Sequence, residues 1–96
     1  MKVVWLPEAE RNLENQLDFV SRHNARAAIA LGDAIERSVR QLANHPRSAR
    51  PGRVRGTREL VVPGTPFLIV YFLEEDAVVI LRILHGAQRW PPEDAD

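Results

Sequence analysis

The sequence predicts an α+β fold of order β-α-α-β-β-β: an N-terminal strand, an antiparallel αα-hairpin, then a three-stranded antiparallel meander. Three observations predict it. Residues 7–20 and 25–43 carry apolar side chains at helical spacing, joined by a link so short that the helices must run antiparallel. Three later runs, RELVV (58–62), FLIVYFL (67–73) and AVVILRIL (77–84), are rich in Val, Ile, Phe and Tyr, which suit a pleated surface. Finally, 96 residues leave room for one core, so 1–96 reads as a single domain in which helices and strands share it.

Each element has its own signals. Residues 2–6, KVVWL, form a short β-prone run, and Trp5 on it is a core candidate. Pro7 suits the first position of a helix, where its missing N–H costs nothing. Glu8 and Glu10 then complement the helix dipole. Ala9, Leu13, Leu17 and Val20 make one apolar face. Leu6 stands where a capping Ser or Asp would be usual, a cost of about 1 kcal/mol. Residues 21–24, SRHN, read as the hairpin link, with Asn24 as the cap of the next helix. Ala28, Leu31, Ile35, Val39 and Leu42 give that helix its stripe, and Pro46 stops it. Residues 46–53, PRSARPGR, read as an Arg-rich loop. Pro63-Gly64-Thr65-Pro66 and Glu74-Glu75-Asp76 mark the two meander turns.

The strands are too apolar for a half-wet sheet. Residues 67–73 are unbroken apolar or aromatic, and 77–84 are interrupted only by Arg82, whereas a sheet with one wet face should alternate. Two helices cover one face. The expectation is that the other face, and the hairpin groove, await a partner segment, by helix-in-groove and strand addition. A homodimer burying the same face is the plainer alternative.

Charge narrows the function classes. Lys plus Arg equals Asp plus Glu at 13 each, which argues against a general polyanion binder. Twelve of the 13 basic residues are Arg, and five of them (Arg47, Arg50, Arg53, Arg55, Arg58) fall in a stretch without an acid. The tail, 91–96, is acidic. There is no Cys, and His23 and His45 have no second ligand at metal spacing, so no metal and no cofactor is expected. No signal peptide or membrane-length apolar run is present, so the expected location is the cytoplasm.

Four segments in order, PEAERNLE, HPRSARPG, GTRELVV and ILRILHGAQRW, resemble the ParE/RelE superfamily of bacterial toxins, in particular its ParE-like, plasmid-stabilisation branch. The resemblance spans 4–90. It implies the toxin half of a type II toxin–antitoxin pair, partnered by a ParD-like antitoxin with a ribbon-helix-helix DNA-binding part. DNA would then be contacted through the antitoxin rather than directly. It also implies one of two targets: DNA gyrase for ParE-type members, or mRNA on the ribosome for RelE-type members. A third reading is an inactive toxin relic that serves as scaffold in an antitoxin repressor complex.

Metal-free RNA cleavage needs a base, an acid and cations for the phosphate. Candidates are Glu59 as base, His85 as acid, and Arg58, Arg82 and Arg89 as clamps. Nucleolytic members commonly carry Tyr after the His, where this chain has Gly86, and many relatives carry Arg where it has Phe72. Those departures and the neutral charge favour a toxin without catalytic residues that binds a protein target. Its contact residues would be Arg82, His85, Gln88, Arg89 and Trp90, since an Arg–Trp pair is a typical hot spot. The structural alternatives are an Arg82 paired with Glu59 or Glu74, and a Trp90 folded back on the core. For antitoxin contact the candidates are Leu17, Val20, Ile35 and Val39 on the helices and Leu68, Val70 and Phe72 on the strands.

Overall fold

The computed structural model describes residues 1–92; the acidic tail expected at the end lies mostly outside them. Two helices pack on one face of a five-stranded mixed sheet, in the order β1 (Lys2–Trp5), α1 (Pro7–His23), α2 (Ala25–Asn44), β2 (Arg50–Pro51), β3 (Arg58–Val61), β4 (Phe67–Leu73), β5 (Ala77–His85). In space the strands run β1-β5-β4-β3-β2. The predicted meander is β3-β4-β5, antiparallel throughout, and β1 joins its far side parallel to β5.

Leu6 makes no side-chain cap, as its chemistry requires. Its N–H instead donates to the Ile80 carbonyl at 3.0 Å, extending the β1–β5 ladder by one bond, while its own carbonyl accepts the first helical N–H, from Glu10 at 3.1 Å. The apolar residue is tolerated because it finishes a strand as it starts a helix.

Two boundaries differ from the sequence reading. Helix α1 runs on through His23, so the hairpin link shrinks from four residues to Asn24 alone. Asn24 serves both helices at once. Its N–H closes α1 on the Val20 carbonyl at 2.8 Å, and its side-chain oxygen accepts from the Ala27 N–H at 3.0 Å to open α2. The second difference is β2. Within the expected Arg-rich loop, Arg50 and Pro51 pair with Glu59 and Arg58 as a two-residue edge strand. An edge is where a sheet accepts Pro.

The core lies between helices and sheet. Ala9, Leu31, Ile35, Val39 and Leu42 meet Phe67, Ile69, Tyr71, Val78, Ile80 and Ile83 there, and Trp5 packs against its margin, half-buried. Tyr71 is fully buried, and its hydroxyl donates to the Pro46 carbonyl at 2.7 Å, tying the sheet to the end of α2. Burial pushes this phenol above its ordinary value. A bulge in β5 breaks the register between Val70 and Tyr71, and α1 answers it: the side-chain oxygen of Asn12 accepts from the Ile83 N–H at 3.2 Å.

Candidate functional site

Cross-strand register decides which side chains share a face, because residues directly opposite project to the same side. Val70 stands between Glu59 on β3 and Arg82 on β5. These three therefore form a row on the face turned away from the helices. Arg82 and Glu59 belong to strands two spacings apart, about 10 Å, and Arg82 pairs with neither Glu59 nor Glu74. One of its guanidinium nitrogens donates to the Leu81 carbonyl at 2.7 Å, and its centre lies 5.4 Å from the Trp90 ring. The geometry is that of a cation over an aromatic face. Trp90 is half-buried, and its indole N–H has no hydrogen-bond partner among the described residues.

His85 stands opposite Phe67 and so takes the helix side of the sheet, its ring edge-on to Phe67 at 5.5 Å. Its Nδ1 accepts from the Ala87 N–H at 3.1 Å, and its carbonyl accepts from the Gln88 N–H at 2.9 Å. That bonding leaves the ring proton on Nε2. The turn is anchored where the Gly86 N–H donates to the Pro66 carbonyl at 2.6 Å. A Cβ at position 86 would lie 3.2 Å from that oxygen, so the close approach favours Gly there. Gln88 and Arg89 follow on the exposed surface.

The nuclease candidates Arg58, Glu59, Arg82 and His85 do not converge. Arg58 stands opposite Tyr71, on the helix side with His85, whereas Glu59 and Arg82 occupy the other face. The Arg58 guanidinium is held by the carbonyls of Ala49 at 2.8 Å and Arg47 at 3.2 Å. Glu59 is 2 % exposed and already engaged. Its carboxylate accepts from the Arg53 backbone N–H at 2.8 Å and side-chain Nε at 3.2 Å, and Arg50 approaches to 3.5 Å. Burial pushes this carboxyl upward, but the hydrogen bonds from Arg53 and the charges of Arg53 and Arg50 outweigh it. The group is held below its ordinary value of 4.5. A carboxylate so stabilised is a structural anion, a poor proton acceptor. At the start of α1, the Glu8 carboxyl is likewise held low, chiefly by its hydrogen bond from Arg11, with a smaller contribution from the charge of Arg82.

The face expected to lie open is closed at its centre. Leu68, Val70, Val79 and Leu84 are all buried within a single chain. Flanking that closed centre, Arg50 and Arg53 reach Glu59 on one side of Val70, while the Arg82 guanidinium lies against the Trp90 ring on the other. Of the seven residues proposed for antitoxin contact, Ile35, Val39, Leu68 and Val70 are thus buried in the fold, and Leu17, Val20 and Phe72 are half-buried. The apolar side chains left on the surface are others: Phe19, Ile29, Val61, Val4 and Met1. Phe19 and Ile29 fall outside the apolar stripes of their helices, the one sign the sequence offered.

The hairpin itself opens into a groove of about 550 Å³, floored by Trp5, Leu13, Leu17, Ile35 and Val39. Among the described residues no group of three or more His, Asp or Glu is placed to hold a metal, and no helix is long and apolar enough to cross a membrane.

Comparison with known proteins adds the following. Residues 3–90 match the sequence profile described as the ParE toxin of type II toxin–antitoxin systems, parDE. Y4kP, a Sinorhizobium fredii protein whose name marks it as a candidate toxin, is 36% identical over 90 residues, covering 94% of this chain and 93% of its own length. Among solved structures, the chromosomal ParDE toxin–antitoxin system from P. aeruginosa superposes with a TM-score of 0.79. That match covers 88% of this chain and 95% of that one at 24% identity, a likeness of fold.

Proposed function

The chain belongs to the ParE toxin family of type II toxin–antitoxin systems, and on that premise we propose that it acts on DNA gyrase and is neutralised by a cognate ParD-like antitoxin. The observation that carries this reading is the split of the nuclease candidates over two faces of the sheet, with Glu59 locked by two arginines. Without a shared point of attack, a binding mechanism accounts for toxicity better than cleavage does. The target surface is the exit of β5: Arg82 beneath Trp90, then His85, Gln88 and Arg89. An arginine packed on an indole offers both charge and apolar area in one place, the combination that dominates binding energy at interfaces.

In this reading the antitoxin occupies the hairpin groove and the exposed apolar residues around it. It also supplies the DNA-binding part of the complex, and the toxin works in the cytoplasm where gyrase is. A supercoiling assay with purified gyrase tests the proposal, set beside a translation-coupled mRNA cleavage assay. Inhibited supercoiling with intact mRNA is the expected result. Ribosome-dependent cleavage with normal supercoiling overturns it in favour of the RelE-type alternative. Inactivity in both, with no growth arrest on expression, overturns it in favour of the relic.

A further inference from the structure

The geometry points to a charge rule for what enters the hairpin groove: its occupant is a basic, amphipathic helix of a partner protein. The floor is apolar, but the rim is acidic. Glu10 and Glu14 of α1 face Asp33 and Glu36 of α2 across it, and no basic residue lines it. Glu36 is paired with Arg40 at 2.5 Å. Glu10, Glu14 and Asp33 have no basic partner among the described residues. The arginine one position from Glu10, Arg11, is taken by Glu8.

Intrahelical electrostatics explain this arrangement only in part. Glu10 falls in the first turn of α1 and gains from the helix dipole, and Asp33 stands four residues before Arg37, a favourable order, but Glu14 lies beyond the first turn with no basic residue one turn on. Glu10 and Glu14 stand four residues apart on α1, a spacing at which like charges repel, while Asp18, the next in the row, is paired with Arg22 at 2.7 Å. A cationic ligand relieves that repulsion.

Shape agrees with charge. Gly32 lies mid-helix in α2, where Gly is costly relative to Ala. An added Cβ there would rest 3.8 Å from a Leu17 methyl, an ordinary contact, so the fold does not require the missing side chain. What its absence does is keep the groove open. Past Gly32 the groove continues into a second depression of about 420 Å³, which ends at the exposed Ile29 and is flanked by Asp18 and Asp33. From Val39 back to Ile29 the path is about 15 Å, room for roughly three turns of an incoming helix. Such a helix would bury leucine-like anchors on the floor and hold Lys or Arg on both flanks.

Who carries this helix rests on the function proposed above; the charge rule does not. Two labelled synthetic peptides of about four turns, with the same apolar stripe and flanked by Lys/Arg in one and Glu in the other, are titrated into the full-length chain by fluorescence anisotropy. The basic peptide should bind roughly tenfold tighter at low salt, and the preference should fade as salt screens it. The triple variant Glu10→Gln, Glu14→Gln, Asp33→Asn should lose the preference while melting like the parent. Gly32→Met should melt no lower than the parent, since Met is the better helix former, yet lose both peptides. Equal or inverted preference, a preference that survives the triple variant, or undiminished binding to a folded Gly32→Met variant would each overturn the inference. A chain that spares gyrase but selects the basic peptide sinks only the target proposal. A chain that inhibits gyrase and ignores peptide charge sinks only this one.

Discussion

The two faces of the sheet make an instructive pair. On the helix side the centre mainly packs: Ile35, Leu42, Ile69, Ile80 and Ile83 are essentially inaccessible, and the polar Tyr71 buried among them has its hydroxyl satisfied. On the far side the buried row of Leu68, Val70 and Leu84 is equally dry, but its flanks are charged, with Glu59 between two arginines and Arg82 beneath Trp90. Apolar packing is insensitive to pH and salt and hard to remodel. A lid of ion pairs and one indole is sensitive to both, and it leaves guanidinium groups at the surface where a target can use them. The same strands thus present a fixed face and an adjustable one.

That contrast can be broken from either side. The largest effect is expected from Ile69→Ala, which leaves a cavity on the packed face and should cost about 3 kcal/mol in chemical denaturation. A loss under about 1 kcal/mol would mean the face is looser than its burial suggests. Next comes Glu59→Gln. Removing the anion from two partly exposed arginines should cost about 2 kcal/mol, less than for a fully buried pair because those arginines can turn to water. The sign with pH follows from the depressed carboxyl. Its contribution is fully present above the unfolded-state value of 4.5 and is lost as pH falls through the lower folded value. The parent should therefore lose stability on acidification in a step that Glu59→Gln lacks, read as melting temperature against pH. Identical acid profiles would show that Glu59 is not the titrating latch.

Asn24→Ala should cost about 1 kcal/mol by uncapping α2; a larger loss would show that the one-residue hinge also positions α1. The smallest stability change, about 0.5 kcal/mol, is expected for Arg82→Ala, because a cation over an exposed-side aromatic contributes little to folding. Its effect on function should be the greatest. Growth arrest should disappear while co-purification with the antitoxin persists. Undiminished arrest from a well-expressed Arg82→Ala variant would remove the β5 exit as the target surface.

Much of the fold was legible because its signals are local. The helical stripes, Pro7, Asn24 and the Pro63-Gly64 turn act within a few residues, and both helices and the meander formed about where those signals placed them, with α1 running on through His23. What failed to show was whatever depends on pairing across the chain. The two-residue β2 exists only because β3 offers it an edge. Asn24 could close the hairpin alone only because both helix ends meet on it. Among site residues, the pairing of Arg82 with Trp90 was not legible, since the sequence offered Glu59 or Glu74 as its partner, and neither was the exclusion of Glu59 from chemistry, since Arg50 and Arg53 reach it through a strand no pattern announced.

By itself, the sequence determined the class of fold, the order of the helices and meander, and the family to which the chain belongs, because periodicity, turn chemistry and short motifs are written along the chain. Only the tertiary structure decided which apolar residues are already buried, which charges are paired, and where an acid-rimmed groove lies open. Those are properties of faces, and a face is assembled from residues that the chain keeps far apart until strand register and helix packing bring them side by side.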